Sequence, residues 1–314
     1  MNDTFCIFLM GPTAAGKTDL AIALTEYLPC RIISVDSAMV YRGLDIGTAK
    51  PSAELLAQVP HALIDICDPS EAYSAARFRH DALQIIEECH QQERIPLLVG
   101  GTGLYFRALQ QGLSELPSAN PELRNQLHQQ LQNQGSLVLH QKLAEIDPEA
   151  AQRIHPHDPQ RIQRALEVYY LTGQPISDWY RQQTQSSPLK SVKKLVIAPQ
   201  QRTLLHDKIA VRFRQMLQNG LIDEVQGLYQ RGDLHAGLPA LRAVGYRQVW
   251  QYLAGELSYA ELPEKAIVAT RQLAKRQLTW LRSETDSDWL DSTLPFTVLL
   301  ENTLKFVETR PNTC

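Results

Sequence analysis

The stretch GPTAAGKT, residues 11–18, has the residue types and spacing of a loop that wraps phosphate groups. Gly11 and Gly16 let the backbone curl so that N–H groups point inward, and Pro12, Thr13, Ala14 and Ala15 complete the cradle. Lys17 adds a mobile positive charge, and the Thr18 hydroxyl is a candidate ligand for Mg2+. A helix beginning at the end of this loop would add the positive potential of its N-terminus. Such a cradle holds a diphosphate or a triphosphate. It does not say whether a phosphoryl group is transferred.

Phosphoryl transfer needs further parts. The chain has no N-K-x-D guanine signature and no arginine-dense lid, and Asp65 in ALIDI is a weak candidate for an acid-ending strand. Asp36 closes the apolar run RIISVD. At the carboxyl end of a parallel strand it would face the ligand crevice, where it could reach Mg2+ through water or accept a proton from a nucleophile. It could equally cap the next turn. A second glycine loop, GGTGLYFRAL at 100–109, would bring Thr102 to the same crevice or simply join a strand to a helix. Arg212 and Arg214 in KIAVRFRQML are candidate anion ligands that stand about 200° apart around a helix. Both also suit a solvated helix face. His155 and His157 alternate in a proline-containing loop and lack the spacing of a zinc site.

These residues need a scaffold that gathers them. In the first third of the chain, short apolar runs (5–10, 31–36, 61–66 and 95–101) alternate with helical stretches at 17–28 and 74–92. That alternation predicts a parallel sheet covered by helices. Residues 121–187 are glutamine-rich and helical in period, LVIAP at 195–199 returns to a strand, and amphipathic helices follow at about 203–218, 221–231, 241–253 and 263–283. The tail after about residue 300 reads as loosely ordered.

Composition narrows the class. The chain has 314 residues, 44% hydrophobic and 21% charged, with net charge −3, so neither a strongly basic nor a disordered protein is indicated. Cys6, Cys30, Cys67, Cys89 and Cys314 form no C-x-x-C pair and read as reduced thiols of a cytoplasmic protein. Neither a signal peptide nor a membrane-spanning run is expected.

The set GPTAAGKT, DSAMVYRGLDIGTAKP, LLVGGTGLY, HDPQRIQRALEVY and RAVGYRQ, in this order, resembles the tRNA dimethylallyltransferase (tRNA isopentenyltransferase) family of bacterial type from residue 7 to about 283. His157 and Ala62 depart from the family's usual residues. The resemblance implies an α/β fold: a P-loop NTPase-like parallel sheet core at 1–115 and 188–314, with an inserted helical domain at 116–187 that grips the tRNA anticodon stem-loop. It implies transfer of a dimethylallyl group from dimethylallyl diphosphate to the exocyclic amine of adenosine 37, with diphosphate leaving and Mg2+ as cofactor. Asp36, Lys17, Thr18 and Arg212 become the expected catalytic set, with Asp36 orienting the amine as a base or as a hydrogen-bond partner. The tRNA-binding set becomes Asp36, Ser37, Ala38, Met39, Thr102, Arg124, Gln160, Arg161, Ile162, Gln163, Arg164, Arg242, Ala243, Val244, Gly245, Tyr246, Arg247, Arg271, Lys275 and Arg282. A monomer is expected.

Local charge fits a nucleic-acid partner. Between residues 161 and 214, ten basic residues (Arg161, Arg164, Arg181, Lys190, Lys193, Lys194, Arg202, Lys208, Arg212 and Arg214) face three acids (Glu167, Asp178 and Asp207), a net +7. A small-metabolite kinase leaves this segment unexplained, and an RNA-binding ATPase lacks a strong acid strand.

Overall fold

The computed structural model describes residues 5–114, 116–182, 188–189 and 191–308. The chain divides into two units, Met1–Gln110 with Ser187–Cys314, and Gln111–Ser186.

The first unit is built on six strands: β1 (Cys6–Met10), β2 (Cys30–Val35), β3 (His61–Ala62), β4 (Ile95–Gly100), β5 (Val192–Ala198) and β6 (Ser287–Asp291). Every pairing is parallel, and the spatial order is β3-β2-β4-β1-β5-β6. Helices cover both faces. Ile7, Leu9, Leu97, Val99, Leu195 and Ile197 pack with α1 (Lys17–Tyr27) and α13 (Phe296–Glu308). Phe8, Met10, Ile33, Leu98 and Val196 face the opposite layer. That layer draws on α3 (Ala75–Gln91), α4 (Gly103–Gln111), α9 (Arg202–Gln218), α10 (Leu221–Tyr229), α11 (Tyr246–Leu253) and α12 (Leu262–Leu281). Burial on both faces explains why the central strands read as continuous apolar runs. A short α2 (Ala53–Gln58) has no buried residue.

Four expectations need correction. The run 61–66 pairs only over His61–Ala62, because Leu63 and Asp65 take left-handed backbone angles (φ 64° and 56°) and turn the chain out of the sheet. Asp65 is then held by Lys50 at 2.5 Å, away from an acid-strand role. The helix expected at 241–253 begins at Tyr246, after a 3-10 turn at Ala240–Arg242, because Gly245 breaks it at φ 96°. The tail is helical through Glu308: α13 buries Leu299, Thr303 and Val307. The buried Lys193 of β5 donates to the carbonyls of Phe306 and Val307, a cation at the C-terminal end of the helix dipole. Strand β6, SDWLD, was absent from the sequence reading because its half-exposed polar pattern is that of an edge.

The second unit is helical: α5 (Pro121–Ile146, interrupted at Gly135), α6 (Pro148–Arg153), α7 (Pro159–Thr172) and α8 (Ile176–Gln182). Leu127, Leu139, Leu143, Ile162 and Leu166 form its centre. The punctuation of α7 is as its residues predict. The Asp158 carboxylate accepts the Arg161 N–H at 3.1 Å, Pro159 opens the helix, and Gly173 ends it at φ 72°.

Candidate active site

The carboxyl ends of β1, β2 and β4 open onto a cleft of about 320 Å³. Residues 13–18 of the phosphate loop line one side of it, with Asp36, Arg212 and Gln277 nearby. Parallel strands aim their following loops to one end, so residues far apart in sequence converge there. Within the loop, Ala14 is left-handed at φ 64°, a strained value for a residue with a Cβ. Gly16 caps α1 at φ 85°, leaving that helix's first amides turned toward the cleft.

Lys17 Nζ donates to the Pro12 carbonyl at 2.8 Å. Enclosure of the ammonium, with Arg212 adding to the effect and Asp36 opposing it, holds its pKa down at about 8. Burial also lowers the Arg212 pKa, while Asp36 and Asp19 pull it back up. Arg212 donates to the Thr48 carbonyl at 3.4 Å. Arg212 lines the cleft, whereas Arg214 is exposed and does not.

Asp36 makes the turn cap that one of its sequence readings expects. Oδ1 accepts the N–H groups of Ala38 at 2.8 Å and Met39 at 3.3 Å and so caps the turn. Oδ2 has no hydrogen-bond partner among the described residues and belongs to a cleft-lining side chain. The Thr102 hydroxyl accepts the Ser37 N–H at 3.2 Å, tying the loops after β2 and β4. Met39, Ile64, Val99, Leu55 and Pro51 supply an apolar wall.

For a divalent ion the fit is that of a phosphate-borne one. Among the described residues no group of three or more His, Cys, Asp or Glu could hold a metal. The Thr18 hydroxyl and the Asp36 carboxylate are hard oxygen donors in the cleft, as Mg2+ prefers alongside phosphate oxygens and water.

The expected RNA residues separate into three kinds. Gln160, Arg161, Arg242, Arg247, Lys275 and Arg282 are exposed. Arg124 and Arg164 are held by the buried Glu167 carboxylate, at 2.9 Å and 2.6 Å, and Gln163 donates to the Arg124 carbonyl. Ile162 and Tyr246 are fully buried, so their side chains are core residues and not RNA contacts. Ser37 is exposed, Ala38, Met39, Ala243 and Val244 are half-buried, and Gly245 is buried. Arg271 is half-buried, with an enclosed Nε that has no partner among the described residues.

Several cations of the +7 segment have partners within the fold. Lys193 caps α13, Lys194 pairs with Glu284 at 3.4 Å, and Arg181 pairs with Asp178. Lys190 lies outside the described residues.

Tyr246 instead belongs to a clamp. The Glu224 carboxylate accepts the N–H groups of Asp45, Ile46 and Gly47 and the Tyr246 hydroxyl. Gly47 must be glycine, because a Cβ there would enter the Tyr246 ring. The clamp holds the segment that carries Thr48, Ala49 and Pro51 into the cleft. Glu224 and Gln277 were not among the sequence candidates, since a lone polar residue in an amphipathic helix carries no local signal.

A profile of the IPP transferase family matches residues 39–284. The chain belongs to this family. It is 63% identical over 278 residues to a tRNA dimethylallyltransferase of Alkalilimnicola ehrlichii, covering 88% of this chain and 87% of that one. Its fold is similar to a tRNA isopentenylpyrophosphate transferase of Bacillus halodurans (TM-score 0.71, 37% identity, 97% and 96% covered). It is also similar to a eukaryotic dimethylallyltransferase acting on tRNA (TM-score 0.80, 26% identity, 98% and 81% covered). The family's P-loop-like core is thus the scaffold of this cleft.

Proposed function

We propose that the protein transfers a dimethylallyl group from dimethylallyl diphosphate to the exocyclic amine of adenosine 37 in the tRNA anticodon loop. Prenyl transfer to tRNA is the function of the family, and nothing favours a metabolite kinase. The observation that carries the finer reading is the single cleft in which phosphate-loop residues, Arg212, the half-committed Asp36 carboxylate and an apolar wall meet.

The chemistry follows from what each group can do. The bond from the allylic carbon to the bridging oxygen breaks, and negative charge grows on the diphosphate. Loop amides, Lys17 and Arg212 are donors and cations at the cleft that would stabilise that charge. Mg2+, held by Thr18 and the phosphate oxygens, would further neutralise the leaving group. Met39, Ile64 and Val99 would cover the five-carbon tail and exclude water. The adenine must leave its stack to reach the cleft. Asp36, through Oδ2, accepts a hydrogen bond from its amine and takes the proton as the new nitrogen–carbon bond forms. Exposed Arg161 on the second unit, and Arg242, Arg247, Lys275 and Arg282 on the first, would neutralise backbone phosphates of the anticodon stem-loop. A monomer working in the cytoplasm suits this role.

The test is a transfer assay with purified protein, labelled dimethylallyl diphosphate, Mg2+ and unmodified tRNA that reads codons beginning with U. Label should enter the RNA at adenosine 37. Label that stays with the donor while ATP phosphorylates a small alcohol would overturn the reading.

A further inference from the structure

The amides of the phosphate loop are not all available to a ligand. Gly11 N–H donates to the Gly100 carbonyl at 3.3 Å. Pro12 has no N–H. Thr13 N–H donates to Gln277 Oε1 at 2.9 Å, from a residue 264 positions away on α12. The same side chain's Nε2 donates to the Gly101 carbonyl at 3.1 Å. A flipped amide would set donor against donor and carbonyl against carbonyl, so its orientation is fixed by its two partners. Gly101 leaves no room for a Cβ beside Nε2, which pins the amide from that side. Donors for an anion therefore begin at Ala14. They run to Thr18, at the N-terminus of α1.

We propose that Gln277 is a specificity-determining residue that limits the cradle to two phosphates by occupying the Thr13 N–H. The inference rests on the prenyl-transfer reading, in which the loop must hold and release a diphosphate. Two phosphate groups fill the arc from Ala14 to Thr18 with Lys17 above it. A third would extend toward the start of the loop, where the Gly11 and Thr13 amides are taken and Pro12 offers none. Gln277 itself lines the cleft, so its side chain also fills part of the volume that a third phosphate needs.

The test uses inorganic pyrophosphate and inorganic tripolyphosphate as probes, titrated calorimetrically with Mg2+ into the full chain. The readout is the ratio of the two affinities. Gln277→Ala frees the Thr13 N–H and should shift the ratio toward tripolyphosphate by about tenfold, the effect of one hydrogen bond to a charged group. Gln277→Asn keeps an amide but cannot reach Thr13, and should shift the ratio the same way. Gln277→Glu keeps the acceptor, so both anions should weaken and the ratio should stay near its starting value. A merely structural role would weaken both probes alike in all three variants. An unchanged ratio in Gln277→Ala and Gln277→Asn would overturn the proposal. Because neither probe carries a prenyl group, this outcome is independent of the transfer assay.

Discussion

Asp36 can serve an acceptor amine because only one of its oxygens is committed to the backbone. That division makes Asn the informative replacement: it keeps the cap through Oδ1 and removes the charge and the base. Asp36→Asn is expected to lower kcat by about 10²–10⁴-fold, the usual worth of general-base help, with tRNA affinity nearly unchanged. A single-turnover assay beside a binding titration separates the two, and a loss under tenfold would assign Asp36 to turn formation alone. Lys17 gives a pH signature. Its pKa in the unliganded protein is about 8, and a bound diphosphate must raise it. The raised bound-state pKa makes its contribution to donor binding complete below pH 8, with a progressive loss above it as pH rises toward the bound-state value. Donor KM should therefore climb above pH 8, and Lys17→Arg, charged throughout, should flatten the climb. The phosphate loop was evident from residues 11–18 because its function depends on consecutive backbone positions. Arg212 against Arg214 was not, because two positions on a helix become unequal only when something packs beside one of them.

Among the elements, the segment 45–51 is shaped from outside. Its amides converge on Glu224 of α10, and the Tyr246 hydroxyl at the start of α11 closes the set. Burial and the neighbouring Glu224 carboxylate push the Tyr246 pKa well up, so the phenol stays a donor. Tyr246→Phe leaves Glu224 short of a donor and should cost about 1–3 kcal/mol in unfolding free energy. It should also speed amide exchange at 45–47 and raise donor KM through the loosened Thr48 carbonyl beside Arg212. Normal exchange at those amides, measured by hydrogen–deuterium exchange, would show that the clamp does not hold the segment. The resemblance placed Tyr246 with RNA as a member of the RAVGYR run, in which Arg242 and Arg247 are exposed and Tyr246 is buried. Burial alternates within such a run, and only the packed structure shows which member turns inward. The same limit applies to Ile162 between Arg161 and Arg164.

For the whole molecule, charge is the property most changed by folding. Within the +7 window, Arg164, Lys194, Arg181 and Lys193 are turned to Glu167, Glu284, Glu149 and the end of α13. Arg161 is the most exposed of those that form an ion pair, its side chain 72% accessible and loosely paired with Asp158 at 3.4 Å. Reversing charge at Arg161 and Lys275 should weaken tRNA binding and lower the magnitude of the salt slope by roughly one per lost phosphate contact. The same reversal at Lys194, which is enclosed with Glu284, should leave the salt slope unchanged and reduce thermal stability instead. Filter binding across a salt series distinguishes these outcomes.

What the chain determined by itself is local: runs apolar on both faces became buried parallel strands, Asp-Pro and Gly bounded α7, and one contiguous motif became the curled loop that leads into α1. These depend on neighbours within a few residues, where covalent geometry and short-range hydrogen bonding act. Tertiary structure decided everything that needed a partner from elsewhere. It put Arg212 and not Arg214 at the cleft, buried Tyr246 against Gly47, brought Gln277 to Thr13, set Lys193 at the last carbonyls of α13, and enclosed Lys194 with Glu284. Each of those outcomes is a contact between residues far apart in the chain, and no local pattern records which of two adjacent side chains the fold will turn inward.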